Sequence, residues 1–170
     1  MNRGTAKDVA AVVGAAGELV GRTRLQKTMS LLEMTGLGYG FSFDYYRYGP
    51  YSDDLAVSLD RAIALNYIEE DERRANWGGR YSIFRTPGTH LTGVLARDTL
   101  ILLAKDADAV ALELAVTAGF LAVEGVDDAW AEVVARKPEK ATPDYLGKAK
   151  VLYEKFQQVA NVPRPLPAIG

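Results

Sequence analysis

The sequence predicts a mostly α-helical protein with a small β-sheet: a winged-helix-like N-terminal part followed by a C-terminal helical layer. Three observations predict it. Apolar residues recur at helical spacing over most of the chain. The period switches to two in three short stretches, and the last two of these flank the glycine-containing turn RRANWGG. With 170 residues and 48% hydrophobic content, the chain can bury one core. Residues 1–88, 89–161 and a proline-rich 162–170 therefore read as parts of one compact unit.

In chain order, Thr5 caps a first helix over Ala6 to Leu19, with Asp8 facing the positive end of its dipole. Gly21 breaks that pattern, and Thr23 restarts it with Gln26 placed as in a capping box. Leu25, Met29 and Leu32 line this second helix up to Gly36, and Gly38 and Gly40 make a loop. From Phe41 the pattern is that of a strand, with Phe41, Phe43 and Tyr45 on one face and Ser42, Asp44, Tyr46 and Tyr48 on the other. Gly49-Pro50 turns the chain, Ser52 caps a third helix with Asp53 and Asp54 in its first turn, and Leu55, Leu59, Ala62 and Ile63 are its buried stripe. Asn66 ends it. Tyr67 to Glu72 and Arg80 to Arg85 then form two strands around a wing at Arg73 to Arg80. Four helices follow, at Thr89–Ala104, Asp108–Val123, Asp127–Arg136 and Pro143–Ala160. The second of these is apolar all round and is expected at the centre of its layer. The tail Val162 to Pro167 favours extended polyproline geometry.

Composition excludes several classes of function. A formal charge of -2 does not suit a protein devoted to broad phosphate binding, which needs a large basic surface. The absence of cysteine removes disulfides, thiolate metal sites and cysteine nucleophiles, and the single histidine, His90, cannot build an imidazole-rich site. No cofactor or metal is expected. No stretch reaches the roughly 20 apolar residues of a membrane helix, and the first residues lack a secretory pattern, so a soluble cytoplasmic protein is expected. P-loop, GxGxxG, HExxH and GxSxG signatures do not occur.

The densest chemical signal is FSFDYYRYGPYSDDL, which packs Tyr45, Tyr46, Tyr48 and Tyr51 into seven residues. Alternation turns Tyr45 inward and Tyr46 and Tyr48 outward. Tyr46, Tyr48, Tyr51 and the wing-tip Trp77 are thus candidates for contact with a partner. A winged helix also suggests DNA, but its reading helix would begin Ser52-Asp53-Asp54 and expose Asp54, Ser58 and Arg61, and two carboxylates at the entering end repel phosphates. Basic contacts would then fall to Arg22, Arg24 and Lys27, or to Arg73, Arg74 and Arg80 around the wing. Glu113 is the lone ionisable residue of its apolar helix, expected at the edge of the stripe or paired with an arginine of the next layer; an enzymatic reading rests on it alone. Glu69 to Glu72 read as a solvated acidic strand edge.

The blocks GRTRLQKTMSLLE, FSFDYYRYGPYSDDL, ALNYIEED, LELAVTAGFL and KPEK resemble the YwgA-like bacterial and archaeal proteins and, more remotely, the Panacea or SocA-like antitoxin domain. The matching positions are Arg24, Leu25, Gln26 and Lys27, then Tyr48, Gly49, Pro50, Ser52 and Leu55. The resemblance implies a non-enzymatic module that binds another protein, in some relatives a toxin that it neutralises or presents to a protease. The leading expectation is thus an antitoxin-like or adaptor module with a protein partner, compatible with homo-oligomers and without a membrane; a winged-helix DNA-binding regulator is the alternative.

Overall fold

A computed structural model describes residues 3–47 and 49–170; Tyr48 lies outside the described residues. Helix α1 (Ala6–Ala16) is capped by Thr5 as expected, and the cap is reciprocal: Thr5 Oγ1 accepts from the Asp8 N–H at 3.3 Å and Asp8 Oδ2 accepts from the Thr5 N–H at 2.8 Å. It ends earlier than Leu19. Gly17, at φ 82°, turns the chain out of the helix, and Glu18–Val20 become a strand, β1. Helix α2 (Arg22–Met34) begins from Gly21 at φ 92°, with no side-chain cap, so Thr23 does not serve as its N-cap and Gln26 is free for another task.

After α2 the glycine loop is organised by a single carboxylate. Glu33 Oε1 accepts from the N–H groups of Tyr39, Gly40 and Phe41 at 2.8, 2.8 and 3.0 Å. Arg97 closes the loop from outside by donating to Leu37 O at 2.7 Å and stacking 4.4 Å above the Tyr39 ring. Phe41 is buried here, ahead of the strand and not in it. Only Asp44–Tyr46 form β2, and Gly49–Tyr51, expected as a turn, form its partner β3 with Tyr45 opposite Pro50. Ser52 then caps α3 (Asp53–Ala64) as expected, its Oγ accepting from the Leu55 N–H at 3.2 Å. Leu55, Leu59 and Ala62 are buried as the stripe predicts, but Ser58, expected outward, is buried with them, and Ile63 is half-buried.

Strands β4 (Glu69–Arg74) and β5 (Arg80–Arg85) flank a wing closed by the Ala75 N–H on Gly79 O at 2.8 Å. The sheet order is β1-β5-β4, all antiparallel, with Leu19 opposite Phe84 and Glu70 opposite Phe84 on the other side. The succession α1, β1, α2, α3, β4, wing, β5 is that of a winged helix, with the β2–β3 hairpin inserted between its second and third helices.

The second layer holds α4 (Leu95–Asp106), α5 (Ala109–Val123), α6 (Ala129–Arg136) and α7 (Pro143–Gln157). Helix α4 starts later than Thr89 because Gly93, at φ 88°, interrupts the backbone and Asp98 ties down Thr92, accepting from its N–H at 2.9 Å and its hydroxyl at 2.7 Å. Helix α5 is central as expected, packing on α2, α6, α7 and β3. The tail is docked: Tyr153 donates to Pro167 O at 2.5 Å, the Arg164 N–H donates to Thr35 O at 3.0 Å, and Leu166 is buried. One core cluster runs from Val9 to Leu166 and joins both layers. Among the described residues no helix is long and apolar enough to cross a membrane.

Removing the Glu33 carboxylate leaves three loop N–H groups without their acceptor. Glu33→Ala is expected to lower the unfolding free energy by about 1–3 kcal/mol, read as a lower urea midpoint. An unchanged midpoint would show that the loop holds itself.

Candidate functional site

A hairpin of three-residue strands has little stability of its own. Here α2 and α5 hold it. Gln26, buried on α2, clasps the end of β3 in both directions: its Oε1 accepts from the Ser52 N–H at 2.8 Å and its Nε2 donates to Ser52 O at 3.0 Å. One residue on, Lys27 is only 2% exposed and donates to Pro50 O at 2.8 Å. Lys137, just after α6 and also buried, donates to Arg47 O at 3.4 Å in the hairpin turn. Both ammonium groups belong to one cluster around Glu113, whose carboxylate takes Lys137 at 3.1 Å and Lys140 at 2.9 Å. Glu113 is therefore neither at a stripe edge nor paired with an arginine; it is buried between lysines, in the second turn of α5.

The approach of β3 to α5 depends on Gly49. Its φ is 91°, and a Cβ there would lie 2.4 Å from Thr117 Oγ1, a buried hydroxyl with no hydrogen-bond partner among the described residues. Burial, partly offset by the charge of Glu113, lowers the Lys27 ammonium from its ordinary value to about 8.

The outer face carries the tyrosines. Tyr45 turns inward as expected, 6.4 Å from the Phe120 ring and under the Arg136 guanidinium at 4.5 Å. Tyr46 is 49% exposed and meets Tyr51 edge to face, with ring centroids 5.6 Å apart. The Tyr46 hydroxyl lies 3.5 Å from Asp53 Oδ2, and the charge of Asp53 raises its pKa. Two of the four aromatic candidates, Tyr46 and Tyr51, thus form one surface. Trp77 stands apart on the wing, 79% exposed with its ring over Gly79.

The basic candidates divide. Arg22 pairs with Glu70 at 2.7 Å and stacks over Phe84, Arg24 donates to Ala104 O and Ala107 O at the end of α4, both at 2.7 Å, and Lys27 is in the hairpin cluster. These three serve intramolecular bonds. Arg73 pairs with Asp71 at 2.9 Å, Arg80 approaches Glu72 at 4.0 Å, and Arg74 is exposed. The acidic run on β4 is only partly a solvated edge, since Glu70 also accepts from Ser82 at 2.6 Å.

Two features were missed in the sequence. One is the lysine cluster, whose only local signal was the lone Glu113. The other is an apolar trough along α7, with cavities of about 650 and 340 Å³ against α4 and about 610 Å³ against the start of α5 that share Lys155. Leu95 stands 81% exposed at its end. Helical spacing could have flagged it, because Leu95, Thr99, Leu102 and Leu103 form a second, outward apolar stripe on α4.

The fold and the held hairpin together define a winged-helix protein with a helical second layer. The chain is similar to the uncharacterized protein YwgA of Bacillus subtilis (strain 168), with 27% identity over 82 residues, which make up 47% of this chain and 49% of that one. It thus spans about half the length of the curated relative it matches. No protein-family model and no solved structure matches.

Two measurements check the cluster. Glu113→Gln strands buried ammonium groups without their counter-charge and is expected to cost about 3–5 kcal/mol of stability, read by urea unfolding. A loss under about 1 kcal/mol would show the carboxylate to be dispensable. Lys27 binds fewer protons folded than unfolded, so its burial cost is full below about pH 8 and is relieved as pH rises towards the ordinary lysine value. The native chain is expected to gain stability relative to Lys27→Met between about pH 8 and 10, by at most about 1.4 kcal/mol per pH unit. A flat difference across that window would place Lys27 in water.

Proposed function

We propose that this chain is a non-enzymatic, cytoplasmic protein-recognition module that contacts its partner through the β2–β3 hairpin. One observation supports this reading above the others: exposed Tyr46, packed edge to face on half-buried Tyr51, sits on a hairpin whose carbonyls and end are fixed from beneath by Lys27, Lys137 and Gln26. Aromatic side chains on a preset backbone give contact area with little ordering cost on binding. Asp44 and Asp53 lie beside Tyr46, and this acidic border favours a protein with a basic rim over nucleic acid. The one acid–base candidate, Glu113, is occupied by two lysines, which supports a structural role for it. An antitoxin-like or adaptor role, as in the Panacea or SocA-like proteins that the sequence resembles, is the specific form of this proposal, with a toxin or protease machinery as partner.

A photocrosslinking residue at Tyr46 tests it in the source cell against the same residue at Glu154 on α7. The expected outcome is one discrete protein adduct from position 46, competed away by the unmodified chain and weakened at least about tenfold by Tyr51→Ala. Identical adducts from both positions, or none from position 46, would sink the hairpin as the contact.

A further inference from the structure

A cavity of about 680 Å³ opens between the first turn of α2, the wing and the start of α5. Its lining is basic: Arg22, Arg24, Lys27 and Arg80 face one carboxylate, Glu72. The charges are partly cancelled: Arg22 is paired with Glu70 at 2.7 Å, and Asp106 and Asp108 act on Arg24, which donates to the Ala104 and Ala107 carbonyls. Lys27 bonds to a neutral carbonyl, and the Arg80–Glu72 approach of 4.0 Å is loose, which leaves Arg80 the cation with most to offer a ligand. Lys27 is buried, so its charge acts from the wall of the site and not from solvent. The backbone adds to this field, because the first residues of α2 line the same cavity, their turn contains no acid, and no side chain caps it.

The remaining walls are of a different kind. Val20, Ala109 and Leu112 give an apolar floor, while Tyr81 and Trp77 stand to one side. An indole left 79% exposed at the rim of a cationic cavity has a face to offer to a planar ring. The size suits a small ligand of one ring system, one sugar-sized spacer and one phosphate.

From this we propose that the cavity binds a phosphate-bearing small molecule of mononucleotide size, with its phosphate at the start of α2 beside Arg22, Thr23 and Arg80 and its ring against Trp77. Arg80 is the specificity-determining cation, since its guanidinium is the least engaged of the four and reaches in from the wing. The site is separate from the tyrosine face of the hairpin and does not rest on it.

Adenosine monophosphate is the probe, titrated into the full chain with calorimetry and tryptophan emission as readouts. Adenosine and inorganic phosphate serve as half-ligands. The nucleotide is expected to bind at least about tenfold tighter than either half, and more weakly as salt rises. Arg80→Ala, an exposed position that does not threaten folding, is expected to lose about tenfold or more in affinity. Trp77→Phe is expected to abolish the emission change, because the other tryptophan, Trp130, is buried against Tyr153. Adenosine binding as well as the nucleotide, an affinity untouched by Arg80→Ala, or no response at about 10 mM nucleotide would each overturn the proposal. So would binding of a single-stranded oligonucleotide with none of the nucleotide.

Discussion

The rest of the structure depends on one buried carboxylate. Glu113 sits in the most apolar helix of the protein, where a lone charge would be costly, and it is tolerated because ammonium groups surround it. The arrangement is not symmetrical. Lys137 and Lys140 bond to the carboxylate, whereas Lys27 feels its charge and bonds to the hairpin. The carboxylate therefore offsets the cost of burying lysines, and Lys27 and Lys137 donate to the Pro50 and Arg47 carbonyls of the hairpin. A hydrophobic cluster of equal volume would fill the same space, but it would leave those carbonyls unsatisfied.

Helix α2 is the common support. From its start to its end it bonds in turn to β4 through Arg22, α4 through Arg24, the start of α3 through Gln26, the hairpin through Lys27 and its own following loop through Glu33. A winged helix ordinarily leaves one such helix open to solvent. Here the second layer covers it, and its polar residues have become internal connectors. The hairpin, the cleft under the wing and the glycine loop all take their positions from the same thirteen residues.

Much of the fold was legible because it is encoded locally. The Thr5 and Ser52 caps and the all-round apolar α5 depend on neighbours within a turn or two. What escaped is encoded at a distance. Strand β1 is three residues between two glycines, and only pairing with β5, far along the chain, makes it a strand. Gly49-Pro50 reads locally as a turn; its pairing with β2 shows only in three dimensions. The basic residues of α2 read as surface because lysine and arginine are rarely buried, and nothing near them in sequence announces Glu113 or the end of α4. In the site, the outward tyrosine and the inward one followed from alternation, while the cluster beneath them did not.

The docked tail has a consequence of another kind. Burial raises the Tyr153 hydroxyl from its ordinary value to about 12, so it keeps its proton, and its bond to Pro167, over the whole range in which cells operate. Its contribution is complete below the ordinary tyrosine value and is lost only as pH climbs towards about 12. Lys27, on α2, titrates lower, at about 8. Mild alkali therefore reaches the hairpin's support while the clasp of the tail is still closed, and two groups packed around the same helix answer the same change in solvent at different points.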